Sequence, residues 1–162
     1  MLGAYCIATT DHPSLNSELE RFLDELAAEQ RYFGPSARCA PKPSRALLTG
    51  LRAGGGFRLV AVDRQRVIGA IRVDDRGELF VAVLASHRGG GLGRSLTEAA
   101  VAQARRRGHR SIVLRTTRRA TAALRLGTRL GGTALVAEHG GLEVVIDLAA
   151  SAARADVMPG TA

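Results

Sequence analysis

Apolar residues change their spacing along the chain, and each spacing predicts a different element. From Ser14 to Gln30, Leu15, Leu19, Phe22, Leu23 and Leu26 recur on one face with acids on the other. That pattern predicts an amphipathic helix opened by Asp/Ser/Asn-type caps. Pro35 to Pro43 reads as a proline-punctuated loop, and Ser44 to Arg52 as a short helix stopped by Gly54-Gly55-Gly56. Phe57 to Asp63 and Arg66 to Asp74 alternate as a hairpin, after which the turn Asp75-Arg76-Gly77 leads into a strand beginning at Glu78. Leu92, Leu96, Ala99, Ala100 and Ala104 return to helical spacing. Ser111 to Thr116 then reads as a strand, Ala120 to Leu130 as a helix, and Thr133 to Ala137 and Leu142 to Leu148 as strands around His139-Gly140-Gly141. The expected organisation is one domain over residues 1–148 and a disordered tail over 149–162, where the residues are small and polar.

Where the strand after Glu78 ends and the next helix begins, the sequence reads Arg88-Gly89-Gly90-Gly91-Leu92-Gly93. Glycines here remove side chains, so successive backbone N–H groups can converge on an anion faced by the positive end of the helix. A loop that merely turns the chain from strand to helix is the plainer alternative. A Walker P-loop is excluded because Gly93 is followed by Arg94 and Ser95 rather than Lys-Ser/Thr. A dinucleotide fold is excluded because its glycine turn follows the first strand of a long alternating chain, whereas this one lies past mid-chain.

Charge points the same way. The chain carries 23 basic and 15 acidic residues, yet residues 1–34 hold six acids against Arg21 and Arg31. From Arg88 to Arg129 there are eleven arginines and one acid, Glu98, which predicts a basic surface around the glycine loop. Arg105, Arg106 and Arg107, just before Gly108, fit an ordinary helix end. With 162 residues and 46% hydrophobic content, a sizeable core needs no disulfide, and Cys6 and Cys39 read as free thiols of a reducing cytoplasm. No apolar stretch approaches membrane-spanning length, which predicts a soluble, cytoplasmic protein without a membrane partner. His12, His109 and His139 have no metal-site spacing, and no metal is expected.

The loop matches the Arg/Gln-x-x-Gly-x-Gly/Ala signature of the GNAT acyl-CoA-dependent N-acyltransferases, with Arg88, Gly91 and Gly93 at the defining positions. The resemblance runs from about Phe57 to Leu148. It implies a single α/β (α+β) domain with a central mixed, mostly antiparallel sheet flanked by helices. Acetyl-CoA is the implied cosubstrate, its pantetheine arm pairing with the backbone of Val81, Ala82 and Val83. Its diphosphate would lie on Arg88, Gly89, Gly90, Gly91, Leu92, Gly93 and Arg94. Gly77-Glu78-Leu79-Phe80-Val81-Ala82-Val83 with the glycine loop is most similar to the Pat-type protein lysine acetyltransferases, as is the short Arg31-Tyr32-Phe33 stretch.

An alkylammonium must lose a proton before its nitrogen attacks a thioester, and Glu78, opening an apolar strand, is the candidate base. Desolvation by Phe80 and Val81 is expected to raise its proton affinity. His87 is the alternative base, although in a strand-to-helix connection it reads more simply as a surface residue. Many members of the family place an acidic tyrosine in the later helix, before Gly-Phe. Here that register falls on Gly127 and Gly132, Ala120 stands where a pantetheine-contacting asparagine often does, and Tyr5 and Tyr32 lie near the N-terminus. A small residue at the tyrosine position suits the Pat-type subgroup. The expected acceptor is a protein lysine or otherwise a small amine, with a homodimer possible. The competing classes are a catalytically silent CoA sensor and a basic RNA-binding module. Only 4% of residues are aromatic, none of them after Phe80, so stacking on single-stranded nucleic acid is disfavoured.

Overall fold

The run Val67-Ile68-Gly69-Ala70-Ile71 has no polar face, and the chain buries it on both sides. The computed structural model describes residues 5–10, 13–32, 45–116, 121–137 and 141–149. In it the run forms the middle of strand β3 (Arg66–Val73), so the alternation expected there gives way to continuous burial. β3 pairs antiparallel with β2 (Phe57–Asp63) on one side and β4 (Glu78–Val83) on the other. The β2–β3 turn places Arg64 and Gln65 at positive φ, the geometry of a two-residue turn that matches strand twist.

Outward from these three, β1 (Cys6–Thr9) pairs with β2, and β5 (Ser111–Thr116), β7 (Leu142–Asp147) and β6 (Thr133–Val136) continue beyond β4. All contacts are antiparallel except β4–β5, which is parallel. The expected mixed, mostly antiparallel sheet is thus present, with seven strands in the order β1-β2-β3-β4-β5-β7-β6. Strand β1 was not anticipated. Its four residues have no apolar alternation, and only pairing to β2 makes them a strand.

Helices cover both faces. α1 (Pro13–Tyr32) buries Leu19, Phe22, Leu23 and Leu26 against Val60, Val67, Ala70, Ala82 and Leu84, together with Leu51 of α2 (Arg45–Arg52). On the opposite face, α3 (Leu92–Arg106) places Leu92, Leu96, Ala100, Val101 and Ala104 against Leu59, Ile71, Leu79, Ile112 and Val144. α4 (Thr121–Arg129) packs there on β5, β6 and β7.

Two arginines fasten α2. Arg58 and Arg72 are direct β2–β3 partners, an arrangement of like charges that costs stability unless their donors find acceptors. Buried Arg72 donates to the carbonyls of Gly50 (2.9 Å), Gly55 (3.2 Å) and Gly54, and Arg58 Nη2 to those of Leu51 (2.7 Å) and Ala53 (2.9 Å). They thereby satisfy carbonyls left open at the helix end. Burial, and then Arg72, push the Arg58 guanidinium below its ordinary pKa, with Glu20 acting in the opposite sense.

The stretch 35–43, Cys39, His12, Ala120, His139 and the tail 150–162 lie outside the described residues. Cys6 is an exposed free thiol. No helix among the described residues is long and apolar enough to cross a membrane.

Candidate functional site

Backbone pairing between β4 and β5 stops almost where it starts. Only Glu78↔Val113 and Leu79↔Leu114 face each other, and the strands part beyond them. Parity shows which groups this leaves open. Val113 donates to the Gly77 carbonyl on the β5 side, whereas Glu78 accepts from Asp74 and Leu84 donates to Ile68 on the β3 side. Hydrogen-bonding direction alternates along a strand, so Leu79, Val81 and Val83 turn their polar backbone groups towards β5 and Phe80 and Ala82 turn theirs towards β3. Val81 and Val83 therefore face the opening, where β5 offers no partner. The Val83 carbonyl accepts from Arg88 Nε at 2.8 Å. The remaining groups can hydrogen-bond an extended ligand as an added strand would.

At the open end of this fork, a 3₁₀ turn (Ala85–His87) and the glycine loop lead into α3. Gly91 is the N-cap of α3 at φ 83°, and no side chain caps it. The first helical bond runs from the Ser95 N–H to the Gly91 carbonyl at 3.0 Å. Among the described residues, no acceptor takes the N–H groups from Gly89 to Arg94. An uncapped first turn presents donors and the positive helix end together, which is an anion site. A Cβ at Gly89 or Gly91 would meet nothing within 4 Å, so the glycines keep that space clear and also supply positive φ.

Glu78 stands at the vertex of the fork. Its side chain is 26% exposed and lies on the face of the sheet that Phe80 and Ala82 share. On that face Arg115 of β5 reaches it, Nε to Oε1 at 3.7 Å, and also reaches Glu143 of β7 at 3.2 Å. Apolar neighbours were expected around Glu78, but the structure adds a cation and a second carboxylate. Val113, Arg115, Glu143 and half-exposed Leu135 leave this face accessible to solvent.

The profile of the Acetyltransferase (GNAT) family matches residues 19–131. The chain belongs to that family. Solved structures agree in fold. The GNAT domain of S. lividans PAT superposes with a TM-score of 0.69 at 20% identity, covering 90% of this chain and 91% of that one. The yncA protein of Salmonella typhimurium, solved with its cofactor acetyl-CoA, gives 0.62 at 22% identity, with 90% and 95% covered. The ribosomal-protein-S18-alanine N-acetyltransferase of Escherichia coli gives 0.63 at 18% identity, with 90% and 94% covered. No curated protein sequence matches the chain. As a GNAT acetyltransferase the protein uses acetyl-CoA, and the residues present suit it: an open strand edge for an amide-bearing arm leads to uncapped donors for a diphosphate.

Within this GNAT domain the residues singled out from sequence take different roles. Val81, Val83 and the stretch Gly89 to Gly93 come together along one edge. Ala82 faces the other way, since strand parity turns its N–H and C=O towards Ala70 of β3. Arg88 turns its guanidinium away to Glu29 at 2.7 Å and to the Val83 carbonyl. The Arg94 side chain pairs with Glu98 at 2.7 Å, so its backbone N–H is what faces the anion site.

Among the described residues, the arginines just before Gly108 add nothing to the basic surface expected around the loop. α3 separates Arg105, Arg106 and Arg107 from Gly91 by about 20 Å at 1.5 Å per residue. Gly127 is buried, and a Cβ on it would stand 2.5 Å from Val144 Cγ1, so α4 packs on β7 in the space a tyrosine there would need. His87 bonds Ser86 and joins neither carboxylate. No group of three His, Cys, Asp or Glu that could hold a metal occurs among the described residues. Sequence reasoning missed Glu29, Arg115 and Glu143, since no local spacing links them to the loop or to Glu78.

Proposed function

We propose that this GNAT enzyme acetylates the amine of a protein lysine by direct attack, with Glu78 as the general base. The observation that carries the proposal is the position of Glu78 at the vertex of the β4–β5 fork, on an accessible sheet face, with the open strand edge leading to the uncapped start of α3. Acetyl-CoA supplies the acetyl thioester. Val81 and Val83 orient the pantetheine arm through their backbone groups, and the N–H groups of Gly89 to Arg94 hold the diphosphate. The lysine ammonium, with a pKa of about 10.4, gives a proton to Glu78 directly or through one water. Its nitrogen then forms the bond to the acetyl carbon as the C–S bond breaks, CoA leaves as thiolate, and the thiolate takes the second proton from the nitrogen, directly or through water, to give the neutral amide and the CoA thiol. A thiol of pKa about 8.5 needs no obligatory acid, which accords with glycine at position 127.

Two further observations favour a protein acceptor over a small one. Among the described residues, the face around Glu78 is open across Arg115, Glu143 and Leu135. The segment from Gly77 to Gly93 also resembles the Pat-type enzymes. Homodimerisation and a cytoplasmic location belong to the same proposal.

The test is Glu78→Gln, which keeps shape and removes basicity. CoA binding persists, and turnover with a lysine-bearing protein panel falls about 100-fold or more. Undiminished turnover would move the base to His87 or to a water relay. Turnover only with free amines would make the acceptor a small molecule, and CoA binding without any turnover would make the protein a sensor.

A further inference from the structure

The glycine loop is held from a distant part of the chain. Glu29, on α1, accepts the Ala85 N–H on Oε1 at 2.7 Å and Arg88 Nη2 on Oε2 at 2.7 Å. Its side chain is 14% exposed and that of Arg88 34%, so the pair is largely withdrawn from solvent. Arg88 Nε meanwhile holds the Val83 carbonyl at 2.8 Å. One carboxylate therefore ties α1 to three successive features: the end of β4, the first residue of the 3₁₀ turn and the first residue of the glycine loop.

This placement is unexpected on charge alone. A carboxylate beside a site for a diphosphate repels it, and here it also engages the one cation of the loop signature. What it provides in return is geometry. The Ala85 N–H and the Arg88 guanidinium are both fixed by an acceptor on a helix packed into the core, and hydrogen bonds involving a charged partner are the strong ones.

We infer that Glu29 is a positioning residue for acetyl-CoA binding, locking the β4–α3 connection in the form that aims the N–H groups of Gly89 to Arg94 at the diphosphate. This deepens the function proposed above and rests on those groups being the anion cradle.

The sign of one substitution separates geometry from charge. In calorimetric titrations, Glu29→Ala weakens CoA binding about 10-fold or more, the size expected for losing hydrogen bonds to a charged group. Glu29→Gln, whose amide oxygen still accepts from Ala85, recovers most of that loss. In kinetics with Glu29→Ala, the KM for acetyl-CoA rises in step with the weaker binding while kcat at saturation stays within about 3-fold, because Glu29 does not touch the reacting atoms. Equal or tighter CoA binding by Glu29→Ala would show that repulsion outweighs positioning and would overturn the inference.

Should Glu29→Ala not fold, amide exchange decides. In the parent without CoA, the Ala85 N–H exchanges more slowly than that of Gly90, and most of the difference is kept in Glu29→Gln. Equal rates in the parent would overturn the clamp. A parent that shows this protection yet binds no CoA would instead overturn the cradle on which the inference rests.

Discussion

At the scale of single residues, Gly91 and Tyr5 make the sharpest contrast. Gly91 is the N-cap of α3 at φ 83°, with open space where a side chain would project. Gly91→Leu fills the anion site and imposes about 1–2 kcal/mol of left-handed strain. CoA binding is then lost in titration while the far-UV circular dichroism remains that of the parent. Tyr5 is one of two tyrosines in the chain, and its hydroxyl donates to Ser95 Oγ at 2.9 Å. Tyr5 directly precedes β1, and its hydroxyl lies on the first turn of α3 rather than on α4, where Gly127 stands in the tyrosine register. Tyr5→Phe therefore leaves kcat near that of the parent and costs about 1 kcal/mol in a denaturant melt. A 100-fold loss of turnover would make it the leaving-group acid after all.

At the scale of elements, helix against sheet decides more than helix propensity does. Gly127 in the middle of α4 lowers helix propensity by about 1 kcal/mol relative to alanine. Its missing Cβ nevertheless lets α4 settle against Val144, where an added methyl would stand 2.5 Å from Cγ1 and 3.0 Å from Cβ. Gly127→Ala is therefore destabilising: overpacking of about 1–3 kcal/mol exceeds the propensity gain, and the melting temperature falls. Element positions were readable because apolar spacing is local. α4 runs Thr121–Arg129 where 120–130 was expected, and β5 is Ser111–Thr116 as expected. β1 was unreadable because four residues with exposed ends have no period of their own.

At the scale of the molecule, several of the described arginines between 88 and 129 are paired or lie apart from the loop. Arg88 is paired with Glu29, Arg94 with Glu98 and Arg115 with Glu78 and Glu143, while Arg105 to Arg107 sit at the far end of α3. On the function proposed above, the diphosphate is held mainly by backbone donors at the strand–helix junction. Any ligand that binds only the folded state stabilises it by mass action. Acetyl-CoA at 100 times its Kd accordingly adds about 2.7 kcal/mol of stability, seen as a rise in melting temperature. RNA, for which the chain has no aromatic residue after Phe80 to stack on, gives no such rise.

What the sequence determined by itself is the order of the elements, the place of the glycine loop between strand and helix, and Glu78 at the head of β4. Each is written in spacings of a few residues, the range over which periodicity and turn chemistry act. Tertiary structure decided the rest. The fork exists because β4 and β5 pair over two residues only, and which of Val81, Ala82 and Val83 turn towards it depends on the register with β3. Glu29 meets Arg88 across 59 residues, and Arg115 meets Glu78 across a parallel pair. Such partners are chosen by how the sheet and helices pack, and no local pattern of residues records that choice.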